Sequence, residues 1–209
     1  MKMADAEIQC LRRAVSVGGE FLEYGAGGST TLICREPNVA HVVSVESDAK
    51  FVHDHVRVDA EKQALLRSGR LRFLLPDIGP TGEWGYPRDA RKAHLWPNYA
   101  LCPYMHGYTP TIVLVDGRFR VACAIVAALE APQSVVLIHD YPNRAQYHVI
   151  ERFFDIEEEV GTLVRCRRKA VFDEAEARQL LRIYLYAPGD TPGFDSTPGA
   201  AFRVSIAPA

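Results

Sequence analysis

The sequence lacks the features that mark several protein classes. Its five cysteines are scattered and include no C-x-x-C pair, which argues against a disulfide framework or a zinc site and indicates reduced thiols. The apolar stretches are too short for a membrane span, and Asp5 and Glu7 occur where a signal peptide would be apolar. We therefore expect a cytoplasmic protein with no membrane partner.

An excess of charge of either sign is also missing. The formal net charge of −2 argues against a nucleic-acid surface built on bulk electrostatics, although a local basic groove stays open, so we expect no nucleic-acid partner. The length of 209 residues suits one sizeable α/β domain, and 48% hydrophobic residues suffice to bury a core. We therefore expect residues 1–209 to form a single domain. The oligomeric state is open, and a homo-oligomer is compatible with this composition.

The segment from Phe21 to Thr30 is a short apolar run, the acid Glu23 and a glycine-rich turn. It predicts a strand that leads into a helix capped by Ser29 or Thr30. Glycine lacks a Cβ atom, so the backbone of such a turn can approach a ligand closely. A second acid, Glu46, ends the next apolar run. In a right-handed strand–helix–strand unit both acids lie at the carboxyl edge of a parallel sheet, where ligands of open α/β sheets bind.

Glu23-x-Gly25-x-Gly27 followed by V-V-S-V-Glu46 resembles the first two motifs of class I S-adenosylmethionine (SAM)-dependent methyltransferases. The resemblance implies SAM as cofactor, with its methionine part on the glycine turn and both ribose hydroxyls on Glu46. Many members carry a third glycine where this chain has Ser29. A tight turn without a ligand is the alternative. The residues assigned to the cofactor are Glu23, Gly25, Gly27, Ser29, Thr30, Glu46, Ser47, Asp77, Ile78 and Asp116.

Two of these assignments depend on a position after the third predicted strand, 71–75. Methyltransferases commonly place an acid there, near the adenine amine, and Asp77-Ile78 occupies that position. An ordinary turn after Pro76 is the equal alternative.

Strand-like runs alternate with helical patterns along the chain, which predicts a doubly wound sheet. With the resemblance, this implies an α/β fold with a Rossmann-like, mostly parallel, seven-stranded sheet. Two short runs around Gly161 predict an antiparallel C-terminal hairpin. The predicted strands are 20–24, 42–46, 71–75, 111–116, 134–139, 155–160 and 162–169. The predicted helices are 4–16, one from the glycine turn to Arg35, 48–67 with a break near Val58, and 119–130.

The C-terminal part gives less certain patterns. Val149, Ile150, Phe153 and Phe154 indicate one face of a further helix, and Asp173 with Glu176 indicates a helix start. The aromatic residues of 183–186 favour a strand. Phe202, Val204 and Ile206 alternate with polar residues, as in an edge strand. We treat residues 171–209 as a C-terminal extension of unassigned role.

The segment 76–110 shows no regular period and contains many glycine, proline and aromatic residues. Loops of this length inside compact domains are usually functional. We therefore interpret 76–110 as a lid and substrate loop. Trp84 and Tyr86 are assigned to the substrate, because their rings can stack on a planar molecule. A rigid plug against the body of the domain is the alternative.

Two further strand ends carry candidate catalytic residues: Asp116, His139 and Asp140. The V-D-G-R and I-H-D-Y sequences are similar to O-methyltransferases of the catechol and macrocin type. This similarity implies Mg²⁺ at Asp116 and Asp140, although His139 stands where a second acid often lies and is a poorer magnesium ligand. His139 is also a candidate general base. Arg118 and Tyr141 are assigned to the substrate.

These residues have structural alternatives too. Asp116 could cap the following helix or pair with Arg118, and His139 could be a buried histidine with its hydrogen bonds satisfied.

Together these features predict a SAM-dependent methyltransferase that acts on an oxygen or nitrogen of a small molecule. A methyltransferase-like binding protein without catalytic activity is the first alternative. An NAD-dependent oxidoreductase ranks lower, because Thr30 stands where its third glycine would be. The sequence lacks N-P-P-Y, which speaks against DNA adenine methylation. The fold and the cofactor do not specify the methyl acceptor.

Overall fold

The computed structural model describes residues 3–191, which form a seven-stranded sheet in the order β3-β2-β1-β4-β5-β7-β6. The five strands from β3 to β5 are parallel, whereas β7 runs antiparallel to both β5 and β6. This arrangement confirms the predicted Rossmann-like sheet with its antiparallel hairpin. The strands are β1 Gly19–Tyr24, β2 Val39–Val45, β3 Leu71–Leu74, β4 Ile112–Val115, β5 Val135–Ile138, β6 Phe154–Val160 and β7 Leu163–Arg168.

Helices cover both faces of the sheet. One face packs against α1, α2 and α4, and the other packs against α5, α6 and α7. Helix α6 is rich in alanine, and nine of its residues are buried, so it lies close to the central strands. The helices are α1 Asp5–Val15, α2 Gly28–Cys34, α3 Ala49–Arg57, α4 Ala60–Arg67, α5 Pro97–Met105, α6 Arg120–Glu130 and α7 Glu174–Tyr184.

The strand register brings the candidate residues to one edge. Tyr24, the last residue of β1, pairs with Val45 of β2 and with Val115 of β4. Val115 in turn pairs with Ile138 of β5. The residues that follow these four strand ends therefore lie side by side at the carboxyl edge of the sheet, as predicted for the open α/β class.

The expectation that 76–110 lacks regular structure is wrong. The segment contains α5 and two short 3-10 helices, Glu83–Gly85 and Ala90–Leu95. Proline occupies the first turn of α5, where its missing N–H costs nothing, and Pro103 lies inside the same helix. The two prolines hide the helical pattern in the sequence. Trp96 and Tyr99 pack into the core, so much of the segment is a fixed part of the domain.

Several C-terminal predictions also change. Residues Ala145–Arg152 form a 3-10 helix, and Phe154 begins β6 and does not belong to a helix. Asp173 caps α7 as predicted, accepting a hydrogen bond from the backbone N–H of Glu176. The region 183–186, for which a strand was favoured, contains the end of α7. The proposed edge strand at 202–206 lies outside the described residues.

None of the helices within 3–191 is long and apolar enough to cross a membrane.

Candidate functional site

Glu46 follows β2 and is fixed by backbone donors. Its Oε1 atom accepts hydrogen bonds from the N–H groups of Ser47 at 2.7 Å and Asp48 at 2.9 Å. Its Oε2 atom accepts one from Ala26 of the glycine turn at 3.3 Å. Burial raises the pKa of Glu46, and the three backbone donors partly offset that rise. A carboxylate oxygen can accept two hydrogen bonds, so Oε2 keeps capacity for a ligand hydroxyl.

Glu23 lies beneath the glycine turn and is fully buried. Its carboxylate accepts hydrogen bonds from the hydroxyls of Ser29, Thr30 at 2.6 Å and Ser44 at 2.8 Å. The polar groups of Glu23, Ser29 and Thr30 therefore bond to one another and hold the turn, and their assignment to the cofactor stays a prediction. Ser44 was missed because nothing in an apolar run indicates a partner across the sheet.

Gly25 and Gly27 have different surroundings. Gly25 has a φ of +96°, and an added Cβ would lie 2.7 Å from the Cα of Gly117, so only glycine allows these two loops to approach. Gly27 is extended, and nothing lies within 4 Å of the place where its Cβ would be. The open space of the turn is therefore at Gly27.

A cavity of about 320 Å³ lies beside the turn. The cavity lies on the side of the turn that faces α3, and neither Glu46 nor Asp116 lines it. Its lining residues are Ala26, Gly27, Gly28, Thr30, Phe51, Val52, His55, Lys62 and Phe73.

Asp77 and Ile78, which follow β3, differ in their surroundings. Asp77 is exposed and accepts a hydrogen bond from the N–H of Gly79 at 2.8 Å. Ile78 is 1% exposed and belongs to the hydrophobic core. The geometry supports the alternative of an ordinary turn at this position.

His139 lies between two carboxylates at the end of β5. Its Nδ1 atom is 2.9 Å from Asp116 Oδ1, and its Nε2 atom is 3.5 Å from Glu7 Oε2, although without hydrogen-bond geometry. Burial lowers the pKa of His139, but the bond to Asp116 and the charges of Asp116, Asp140 and Glu7 outweigh it, so its pKa is raised. A raised pKa favours the protonated imidazole, which counts against His139 as general base; that role stays a prediction.

Asp116 and Asp140 share a buried cation, Arg120. One guanidinium nitrogen lies 3.4 Å from Asp116 Oδ1 and 3.0 Å from Asp140 Oδ2. The guanidinium also donates to the backbone oxygens of His139 and Gly117. The alternative pairing of Asp116 with Arg118 is therefore wrong, because Arg120 is the partner.

The position of Arg120 determines whether Mg²⁺ can bind here, as the similarity to O-methyltransferases of the catechol and macrocin type implies. One ligand atom from each of Asp116, His139 and Asp140 lies within 4.8 Å of the others, a separation that could hold an ion. However, the guanidinium of Arg120 already neutralises both acids, and Nδ1 of His139 is bonded to Asp116. A divalent cation does not fit this arrangement, and we derive no step through one.

The segment 83–86 covers the Glu46 edge. A Cβ at Gly85 would lie 3.3 Å from Ser47 Oγ and 3.8 Å from Glu46 Oε1. The Tyr86 ring lies 4.4 Å from the guanidinium carbon of Arg118. Trp84 has a φ of +59° and is 68% exposed. Tyr86 and Arg118 therefore lie at the predicted edge.

Tyr141 does not join them. It is 3% exposed, and its hydroxyl donates to Glu151 at 2.9 Å. We correct its assignment to the substrate.

Comparisons with known proteins show which family the chain belongs to. No family model and no curated protein matches the sequence. A methyltransferase-like protein from Silicibacter pomeroyi is 31% identical and superposes with a TM-score of 0.77, covering 90% of this chain and 97% of that protein. The chain belongs to the family of this methyltransferase-like protein, and its sheet has the class I SAM-dependent methyltransferase fold. An RNA methyltransferase from Salinibacter ruber, in complex with S-adenosyl-L-homocysteine, shares the fold at 12% identity, with a TM-score of 0.50 over 83% of this chain and 97% of that one.

This methyltransferase-like protein carries two polar groups at one sheet edge. The first consists of the glycine turn after β1 and Glu46 after β2, which are joined by the hydrogen bond from Ala26. The second consists of Asp116 after β4 and His139-Asp140 after β5, held by Arg120. Arg120 and Glu7 were missed from the sequence, since Glu7 lies 132 residues from His139 along the chain.

Proposed function

We propose that the protein binds SAM at the carboxyl edge of its sheet and transfers the methyl group to an oxygen or nitrogen of a small molecule. The observation that carries the proposal is the Glu46 carboxylate, oriented by three backbone N–H groups beside the glycine turn. An oriented carboxylate can accept hydrogen bonds from ribose hydroxyls. The open backbone at Gly27 leaves room for the amino-acid part of the cofactor.

In this proposal, Asp116 and Asp140 act on the methyl acceptor. Methyl transfer is an in-line displacement at a carbon activated by the sulfonium, so the protein aligns the nucleophile and takes its proton. The side chains of Asp116 and Asp140 are 26% and 32% exposed, so a ligand can reach them. Arg120 contacts both carboxylates and His139 contacts Asp116, so these contacts fix their positions.

Two observations favour a small molecule over a nucleic acid. The net charge is −2, and two of the four basic residues in the run 165–169, Arg165 and Arg167, pair with Glu157 and Glu158 of β6. In addition, Gly85 and Tyr86 cover the edge beside Glu46, which suits a narrow cleft. All seven strands within residues 3–191 belong to one sheet, and this supports a single domain.

A methyltransferase-like protein that binds SAM without transferring its methyl group is the second candidate, and the salt bridges of Asp116 and Asp140 to Arg120 favour it. Carboxylates stabilised by a cation are weaker bases than free ones. Methyl transfer to a panel of phenols, amines and carboxylic acids distinguishes the candidates.

The cofactor is tested by thermal unfolding of the purified chain with SAM, S-adenosylhomocysteine (SAH), NAD and ATP. A ligand that binds the native state raises the unfolding midpoint. We expect SAM and SAH to raise it and NAD and ATP to leave it unchanged. A rise with NAD but not with SAM would assign the edge to a dinucleotide and overturn the proposal.

A further inference from the structure

The cations at the carboxyl edge differ in whether they have an acidic partner. Arg120 lies between Asp116 and Asp140. Arg144 lies 3.3 Å from Asp140. Within the described part of the chain, Arg118 forms no ion pair, and its Nε atom is buried without a hydrogen-bond partner.

The acids near Arg118 already accept hydrogen bonds from other groups. Glu46 accepts from the backbone N–H groups of Ala26, Ser47 and Asp48. Asp116 accepts from His139 and pairs with Arg120. Asp190 accepts a hydrogen bond from the N–H of Val121 at 2.8 Å. The Arg118 side chain as a whole is half-buried. A partly buried guanidinium without an acidic partner favours a ligand that supplies an acceptor.

Arg118 lies beside Glu46, at the edge that residues 83–86 cover. The Tyr86 ring covers one face of the guanidinium at 4.4 Å. The Cβ position of Gly85 is 3.8 Å from Arg118 Cγ and 3.8 Å from Glu46 Oε1, so the arginine stem and the Glu46 carboxylate border the same space. Stacking on an aromatic ring leaves the edge of the guanidinium free to donate hydrogen bonds.

We propose that Arg118 and Tyr86 form a receptor for a carboxylate group in the cleft beside Glu46. A guanidinium binds a carboxylate through two parallel N–H···O bonds, and the Tyr86 ring holds the plane of the guanidinium in position for them. This inference rests on the proposed function, because the cleft is the one assigned to SAM and its acceptor. The carboxylate belongs to the amino-acid part of the cofactor or to the acceptor.

Calorimetry with variant proteins tests the receptor and distinguishes the two sources. The variants are Arg118→Met, which keeps the stem without the charge, and Arg118→Lys, which keeps the charge without the planar fork. Arg91→Met is the matched control, because Arg91 is exposed and pairs with Asp89 outside the cleft. The cofactor probes are SAM and decarboxylated SAM. The acceptor probes are benzoate and neutral benzamide, each titrated with and without saturating SAH.

A receptor for the cofactor predicts that Arg118→Met weakens SAM at least about tenfold and leaves decarboxylated SAM unchanged. A receptor for the acceptor predicts the same loss for benzoate, with SAM unchanged. In either case we expect Arg118→Lys to restore part of the affinity and Arg91→Met to behave as wild type.

Equal affinity of wild type and Arg118→Met for SAM, together with benzoate binding that is absent or independent of Arg118, overturns the receptor. If wild type binds no SAM, the proposed function fails instead. The benzoate titration without SAH still decides on Arg118 in that case.

Discussion

At the scale of single residues, Glu23 serves the site without reaching its surface. Burial raises the pKa of Glu23 to about 7, and the hydroxyls of Ser29, Thr30 and Ser44 partly offset the burial. The hydroxyl bonds tie the last residues of β1 to the first turn of α2 and to β2. The position of the glycine turn therefore depends on a side chain that the proposed ligand does not touch.

The raised pKa of Glu23 predicts a pH-dependent stability. The folded state holds a proton that the unfolded state releases above about pH 4.5, so stability is greatest at low pH and falls as pH rises to about 7. The loss is roughly 3 kcal/mol. Urea unfolding of wild type and Glu23→Gln at several pH values measures it. We expect the difference in unfolding free energy between the two proteins to change between about pH 4.5 and about pH 7. A constant difference would contradict the raised pKa of Glu23.

His139 provides a second test at this scale. Its pKa is raised, because the bond to Asp116 and the charges of Asp116, Asp140 and Glu7 outweigh burial. Its contribution to stability is complete below about pH 6.5 and is lost as pH rises through the folded pKa. NMR titration of the imidazole should give a midpoint above that of a model histidine, and Asp116→Asn should lower it. A midpoint below 6.5 in wild type would favour His139 as a general base.

At the scale of elements, the segment 83–86 is the piece most directly linked to ligand entry. Gly85 has a φ of +72° and lies against Ser47 and Glu46. Alanine there would be strained and would have to displace the Ser47 hydroxyl. We interpret 83–86 as a cover that must move when a ligand binds.

Limited trypsin digestion checks this cover. Gly85→Ala should increase cleavage at Arg88 and Arg91 about fivefold over Gly107→Ala, corresponding to roughly 1 kcal/mol of overpacking against Ser47. Gly107→Ala is the control, since Gly107 has a φ of +69° with nothing within 4 Å of its Cβ position. Equal cleavage in both variants would show that the contact with Ser47 does not hold the cover.

The C-terminal extension contributes to another element, α6. Phe119, the N-cap residue of α6, makes no side-chain hydrogen bond that caps the helix. Instead, Asp190 accepts a hydrogen bond from the N–H of Val121, 69 residues away along the chain. The described part of the extension therefore completes the helix that carries Arg120.

Removal of this cap should cost stability. We expect Asp190→Ala to lower the free energy of unfolding by about 1 kcal/mol, the usual value of an N-cap, and Asp190→Asn to lower it less. Urea unfolding measures both, with Asp173→Ala at the start of α7 as a reference cap. An Asp190→Ala variant as stable as wild type would show that the contact is not a working cap.

At the scale of the whole molecule, the sequence predicts the sheet well because its signals are local. Buried parallel strands are continuous apolar runs, and the turns between them contain glycine, proline or a capping residue. The runs at 42–46 and 111–116 and the break near Val58 therefore reappear in the structure with small shifts in their bounds. Helix α5 was missed, because Pro97 and Pro103 interrupt its pattern.

The site was predicted less completely, because its partners are distant in the chain. The sequence places Glu46, Asp116 and His139 at strand ends, and the register brings those ends together. Which cation pairs with Asp116 depends on side-chain direction at the start of α6, and the sequence analysis considered only Arg118. The contact of Glu7 with His139 requires α1 to cross to β5, which no local pattern encodes.

The central claim is that Glu46 forms part of a SAM site, and calorimetric titration of SAH tests it most directly. The proteins are wild type, Glu46→Gln and, as a control, Glu83→Gln, which alters an exposed acid on the neighbouring cover. We expect wild type and Glu83→Gln to bind equally and Glu46→Gln to bind about 1.5 to 3 kcal/mol more weakly, the usual value of hydrogen bonds to a charged group. Equal binding of SAH by wild type and a folded Glu46→Gln variant would contradict the claim.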